Sequence, residues 1–188
     1  MKLDIFDLSK LNNYKLIQDV KIHPLKVNRD PRGFLIETLK IDWLDIYGTN
    51  LPFTQNYFSV TQSNVARDKD RWHVHPIKQI DRFVVTQGKI VVALYDWRKK
   101  SPTLGLLNLF LMGELNNDVG YYNLLIPNNI LHCFLVVSKT SAMILNYPTA
   151  LYDSKEEGRV PFNEVEIAKK QYFSWNSIRK YFNLPHIN

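Results

Sequence analysis

The feature that most constrains this chain is a rhythm. From about residue 15 to 165, short runs rich in β-branched and aromatic residues alternate with turn signals. The turn signals are Asn28-Arg29-Asp30-Pro31-Arg32-Gly33, Gln87-Gly88, Ser101-Pro102, Asn116-Asn117-Asp118 and Pro127-Asn128-Asn129. Gly and Asn tolerate the left-handed backbone that tight turns need, and Pro pre-sets a turn φ. The runs between them predict strands over residues 33–41, 55–62, 79–87, 89–95, 105–111, 121–126, 132–137 and 142–147. Strands of this length and spacing read as an all-β sandwich or barrel, and a jelly roll is one way to limit exposed edges. No 3.6-residue period persists in that region. Helical spacing is confined to residues 42–47, read as one turn, and to residues 163–170 and 174–182, read as short lids.

Composition closes off several alternatives. Hydrophobic residues make up 45% of 188 and charged residues 22%, the profile of a packed globular chain. With no repeat and no Gly/Ser-rich linker, residues 1–188 read as one domain. Its core spans about 15–165, and a helical C-terminal extension, about 166–188, is expected to pack over the barrel. A lone Cys133 excludes an intramolecular disulfide and a Cys-rich zinc site. No apolar run approaches the ~18 residues of a membrane span, and the first residues carry acids where a signal peptide has an apolar stretch. The expectation is a cytoplasmic protein with no membrane partner. The net charge of +6 suits an anionic ligand. That excess is spread out, and its densest cluster, Arg98-Lys99-Lys100, has no interleaved aromatics, so no nucleic-acid partner is expected.

Chemistry concentrates in Trp72-His73-Val74-His75, where strand alternation aims both imidazoles at one face. Asp81 and Gly88 follow, and far downstream comes Pro127-Asn128-Asn129-Ile130-Leu131-His132. The order H-x-H-x5-D-x6-G then P-x-N-x-x-H resembles the two motifs of the cupin superfamily, which implies a small β-barrel of the double-stranded β-helix type with its site on inward-facing strand residues. Three imidazoles and a carboxylate suit Zn, Fe, Mn or Ni, so His73, His75, Asp81 and His132 are alternative metal ligands. The plain alternative is a set of strand histidines that only satisfy hydrogen bonds.

A second set of segments is similar to the dTDP-4-dehydrorhamnose 3,5-epimerase family. Asp30 through Glu37 resembles its D-x-R-G-x-F-x-E, with Leu35 at the Phe position, and Phe53 through Ser59 its F-x-Q-x-N-x-S, with Tyr57 at the second-motif Asn. Trp72-His73 falls at R-G-L-H. Asp96 through Thr103 resembles D-x-R-x-x-S-P-T, Ile126 through Phe134 resembles I-P-x-G-x-A-H-G-F, and Glu157 through Glu164 the segment closing the core. The resemblance implies His73 as general base, Arg32 and Glu37 on the nucleotide, Gln55 as a further substrate contact and Tyr152 near the base-stacking aromatic. It also implies a nucleotide-sugar substrate, no cofactor, and a homodimer in which an N-terminal strand brings Arg32 and Glu37 to the neighbouring site.

The departures from the family pattern are as informative. The enolate-stabilising Lys, seven residues before Gly88, is Asp81. The acid-supplying Tyr aligns with Asn146, and Tyr147, one residue on, is the candidate hydroxyl, although alternation puts it on the opposite strand face. Asp70 stands at the Arg of R-G-L-H, leaving Arg71 or Arg67 to substitute, and no L-S-x-K-D follows the core. Three readings result: an epimerase of a nucleotide-linked 4-keto sugar with His73, His75, Asp81, His132 and Tyr147 as its catalytic candidates; a metal-dependent cupin; and a non-catalytic sugar-nucleotide binder on the same scaffold.

Overall fold

A computed structural model describes residues 3–47 and 51–185. The strands in chain order are β1 (Ile5–Phe6), β2 (Lys21–Pro24), β3 (Val27–Asp30), β4 (Gly33–Ile36), β5 (Tyr57–Thr61), β6 (Ala66–Arg67), β7 (Arg71–Val74) and β8 (Asp81–Gln87). They continue as β9 (Lys89–Tyr95), β10 (Leu107–Gly113), β11 (Tyr122–Ile126), β12 (Leu131–Val136), β13 (Ala142–Asn146), β14 (Gly158–Pro161), β15 (Glu166–Ala168) and β16 (Gln171–Tyr172), before one helix, α1 (Asn176–Tyr181). One sheet runs β1-β10-β9-β12-β7-β14, with β6 also on β12, and the other β2-β11-β8-β13-β5. Strand neighbours distant in sequence, alternating between two facing sheets, give the predicted jelly roll. No described helix is long and apolar enough to cross a membrane.

Strand β9 shows why the rhythm produces two layers. Its residues Ile90, Val92 and Leu94 enter the core between the sheets with Phe83, Phe110 and Leu124. Val91, Ala93 and Tyr95, the alternate set, enter a second core on the outer face. A strand buried on both sides has no polar face, and it therefore reads as a continuous apolar run. The turn that launches β9 depends on Gly88, at φ +72°, where an added Cβ would lie 2.6 Å from the Ser141 carbonyl oxygen.

The C-terminal segment differs from expectation. Residues 163–170 are not helical: a 3-10 turn, Phe162–Glu164, leads into the hairpin of β15 and β16. Of that range, Val165 drops into the outer core beside Phe162, the residue just before it, whereas Lys170 takes a left-handed φ of +58° that turns the hairpin. The second lid forms as the short helix α1 inside residues 174–182. Together Phe162, Phe173, Trp175 and Ile178 cover the outer face of the first sheet. The fully buried Trp72 is their anchor, with ring centroids 5.1 Å from Phe162 and 4.6 Å from Phe173. Such aromatic pairs contribute about 0.5–1.5 kcal/mol each beyond burial.

The outer face of the second sheet is covered more thinly, by Leu25, Val84 and Tyr121 with the partly buried Val27, Ile36 and Trp43. The first predicted strand, 33–41, ends at Ile36, and the chain turns instead over residues 40–47, where Tyr47 N–H donates to the Trp43 carbonyl at 2.7 Å. Arg82, buried on this side, donates to the carbonyls of Ile46 (2.9 Å), Leu51 (2.9 Å), Pro52 (2.8 Å) and Tyr147 (2.6 Å). The Asp96 segment, carried in the sequence as a family signature, is a self-contained turn. The Asp96 carboxylate accepts from Arg98 Nε at 3.0 Å, Ser101 Oγ at 2.5 Å and Thr103 Oγ1 at 2.6 Å.

Candidate active site

Four strands place polar side chains in the gap between the sheets at one end. His73 on β7 and His132 on β12 stand opposite each other in register, their ring centroids 4.8 Å apart. His75 follows His73 by two residues, on the same face. From the facing sheet come Asp81, the first residue of β8, and Asn146, the last of β13. In both strands the same alternation carries Phe83 and Ile144 into the apolar core further along. The site is thus the polar end of the jelly roll interior.

Asp81 is the hub. Its Oδ1 accepts from Gln79 Nε2 and Asn146 Nδ2, each at 2.9 Å, and its Oδ2 lies 3.2 Å from His75 Nε2 and 3.6 Å from His132 Nε2. The Nδ1 atoms of His75 and His132 face backbone carbonyls, Glu156 at 2.9 Å and Ile130 at 3.0 Å, so each Nδ1 carries its proton and each Nε2 turns to Asp81. The Glu156 carboxylate in turn accepts from the backbone N–H groups of Ile77, Lys78 and Gln79, holding the loop between β7 and β8. His73 Nε2 is 3.0 Å from His75 Nε2, while its Nδ1 meets the Arg159 guanidinium and lies 3.8 Å from Glu157 Oε2. A chain of contacts therefore runs from the buried carboxylate through His75 to His73.

Charge follows from this placement. Burial, then the positive potential of His132, His75 and Arg159, pushes the His73 pKa down to about 2, so the imidazole is neutral. Burial likewise takes His132 down to about 4, against the pull of Asp81. His75 moves the other way: burial lowers it, but the hydrogen bond and charge of Asp81 outweigh burial and raise it. For Asp81, burial would favour the neutral acid, yet His75 and His132 hold it well below the usual carboxylate range.

A cavity of about 220 Å³ opens on this cluster, lined by His73 and His132 from one sheet and by Tyr57 and Asn146 from the other. Tyr57 is half-exposed, but its hydroxyl turns inward and accepts from Asn146 Nδ2 at 2.8 Å. Burial, reinforced by the charge of Asp81, pushes this phenol up to about 12. Arg67, Asp68, Glu157 and Arg159 complete the rim. The imidazole donors of His73, His75 and His132 lie within 4.8 Å of one another and, with Asp81, suit a divalent ion in donor type. An ion would have to displace the His75–Asp81 contact and sit beside a guanidinium, which opposes it electrostatically.

Residues 15–179 match the family model for dTDP-4-dehydrorhamnose 3,5-epimerase. The chain belongs to that family. It is 39% identical over 149 residues, 78% of this chain and 89% of the relative, to a probable low-salt glycan biosynthesis epimerase of Haloferax volcanii. It is 30% identical to the spore coat polysaccharide biosynthesis protein SpsL of Bacillus subtilis, over 86% of this chain and 98% of that one. Among solved structures, the dTDP sugar isomerase of Desulfovibrio desulfuricans superposes with a TM-score of 0.68 at 26% identity, covering 77% of this chain and 85% of that one. A Legionella pneumophila 3,5-epimerase, solved with dTDP-4-keto-L-rhamnose, gives 0.64 at 25%, covering 76% and 73%.

Against the family pattern, the structure brings His73, His75, Asp81 and His132 together and leaves other candidates elsewhere. Tyr147 points to the outer face of the second sheet, where its hydroxyl is 2.7 Å from Thr38 Oγ1; Asn146 takes the inward position. The hydroxyl that does reach the cavity belongs to Tyr57, on the neighbouring strand β5. Arg71 pairs with Asp70 at 2.7 Å on the surface and lines a different cleft, while Arg67 lines this cavity. Gln55 donates to the Ala150 carbonyl at 3.1 Å. Arg32, paired with Asp30 at 2.6 Å and 89% exposed in its side chain, sits with Glu37 outside the cavity of its own chain, and Tyr152 is exposed. The sequence reading passed over Tyr57 as a site residue, although alternation from β5 would have aimed it inward with Ser59. It also passed over Arg159, which β14 pairs directly with His73.

Proposed function

We propose that this protein is an epimerase of nucleotide-linked 4-keto sugars, inverting C3, C5 or both, in the assembly of a deoxysugar or surface polysaccharide. The observation that carries the reading is His73: a neutral imidazole on the wall of a cavity, backed through His75 by a buried carboxylate. The hydrogen on a carbon beside a keto group is acidic because the carbanion delocalises onto the carbonyl oxygen. His73 takes that proton at Nδ1 once the substrate displaces the Arg159 guanidinium from it, and the positive charge it gains is balanced through His75 by Asp81. Inversion requires a proton to return from the other face. Tyr57 stands on the opposite sheet, and a phenol near 12 keeps its proton at neutral pH while remaining acidic enough to protonate an enolate carbon. No cofactor is called for by these steps.

We place Arg32 and Glu37 at the nucleotide end of a neighbouring copy's site. Both lie outside their own cavity, and the β3–β4 hairpin that carries Arg32 exposes Phe34 and Leu35, as the edge strand β5 exposes Phe58 and Val60. Apolar residues presented on an unpaired edge suit pairing with a second chain, and a homodimer accounts for both features. A buried, unpaired Cys133 accords with the cytoplasm. The test is incubation with a dTDP-linked 4-keto-6-deoxyhexose in D2O, read by NMR. Deuterium is expected at C3, C5 or both, and a substrate that binds but incorporates none sinks the reading.

A second reading is favoured by the spacing of His73, His75 and His132 around Asp81: a divalent-metal cupin with these four as ligands. Elemental analysis of protein purified without chelator decides it. A metal stoichiometry near one supports this reading, and near zero rejects it.

A further inference from the structure

The proposed proton abstraction leaves a negative charge on the C4 oxygen, and the cavity must meet it with a cation or a strong donor. Asp81 has the wrong sign and is committed to His75 and His132. Two cations line the cavity, Arg67 and Arg159. Arg67 is turned to the β5 side, where Nε donates to Thr61 Oγ1 at 3.1 Å and Nη2 approaches the Val60 carbonyl at 3.5 Å. Arg159 instead touches the base itself, reaching His73 Nδ1. Its guanidinium is held from two sides, by Asp68 on Nε at 2.9 Å and by Glu157 on Nη1 at 3.0 Å. Among the described residues Nη2 makes no hydrogen bond, so one donor group of this cavity-lining cation remains available to a ligand.

We infer that Arg159 is a catalytic residue that binds the C4 oxygen and stabilises the enolate. This assignment rests on the epimerase reading. As His73 takes the proton from C3 or C5, the C–H pair becomes the new C=C bond, the carbonyl π pair moves to the C4 oxygen, and Arg159 donates N–H hydrogen bonds to that oxygen. The pair returns when carbon is reprotonated, and the guanidinium neither gains nor loses a proton. The two carboxylates act as positioning residues. They fix a cation that solvent would otherwise leave mobile, which lowers the reorganisation needed when charge develops.

The test compares solvent-deuterium incorporation and steady-state turnover in R159Q, R159K and R159A, with melting temperature as the folding control. R159Q is expected to lose ~10²–10³ in kcat, the effect of removing a single oxyanion donor, with KM changed far less. R159A is expected to recover part of its rate in millimolar guanidinium, a readout that a structural role would not produce. Should R159Q fail to fold, R159K retains the charge but not the fork, and a kcat loss of at least tenfold is required of it. Turnover within threefold of wild type, or a loss confined to KM as for a phosphate clamp, overturns the assignment alone. Absence of exchange in the wild-type protein overturns the epimerase reading and this assignment with it.

Discussion

Two buried carboxylates, Asp81 and Asp96, invite comparison. Both are almost wholly buried and both are held below the usual carboxylate range, Asp96 at about 2. Their partners differ. Asp96 bonds to Arg98, Ser101 and Thr103, all within seven residues, and its charge is spent on closing one turn. Asp81 is reached by groups 65 residues away in sequence, as with Asn146, and by histidines from the facing sheet. Partners that cannot titrate near neutrality make a brace, whereas partners that can, opening on a cavity, make a reactive centre.

The sharpest way to break this comparison is at His73, which Asp81 reaches through His75. H73N is expected to lower solvent exchange at the sugar by ~10²–10⁴, the usual worth of a positioned general base, with a melting temperature close to wild type. Next come the two carboxylates themselves. D81N strands His75 without its counter-charge and should cost about 3–5 kcal/mol by denaturant titration, with turnover falling as well. D96N should lose stability while kcat of the folded fraction stays within threefold. If D96N proves catalytically as damaging as D81N, the distinction between brace and reactive centre fails.

Acid titration separates the pair by pH. The unfolded chain protonates histidine below about 6.5, but folded His132 resists to about 4 and His73 to about 2, so stability falls as pH drops through that window. His75, with a raised value, contributes in the opposite sense: its stabilisation is complete below about 6.5 and is lost only as pH rises through its folded value. Between about 6 and 4 His75 is protonated in both states and drops out, so unfolding takes up about two protons, a slope of ~2.7 kcal/mol per pH unit. Asp96 contributes nothing to that slope; its stabilisation is present above about 3.8 and disappears as pH falls through about 2. Urea midpoints measured from pH 7 to 3 check both parts. The smallest effect is expected of Y147F, which deletes one hydroxyl contact to Thr38 worth ~0.5–1.5 kcal/mol. Its exchange rate should match wild type, whereas Y57F should slow exchange at least tenfold.

The rhythm of apolar runs and turns was enough to read a jelly roll, because strand alternation is a local property of the chain. The His73–His75 pair was legible for the same reason, and His132 through its proline-led turn. Tyr57 and Arg159 were not, since which strand lies next to which in a sheet is decided by packing between distant segments. Alternation along β5 could aim Tyr57 inward, but it could not show that β5 pairs with β13 beside Asn146. The non-helical stretch after Phe162 was misread because two apolar residues three apart, Val165 and Ala168, fit one helical face as readily as a turn leading into a hairpin.

Trp72 and His73 are consecutive on one short strand, one facing out and the other in. The indole is gripped by Phe162 and Phe173, neither of which lines the cavity. The strand that carries the imidazole is thus held from its outer face by that cover. Removing the C-terminal part of that cover, residues 173–185, is expected to lower turnover before it unfolds the protein, which turnover and melting temperature of the truncated chain together check.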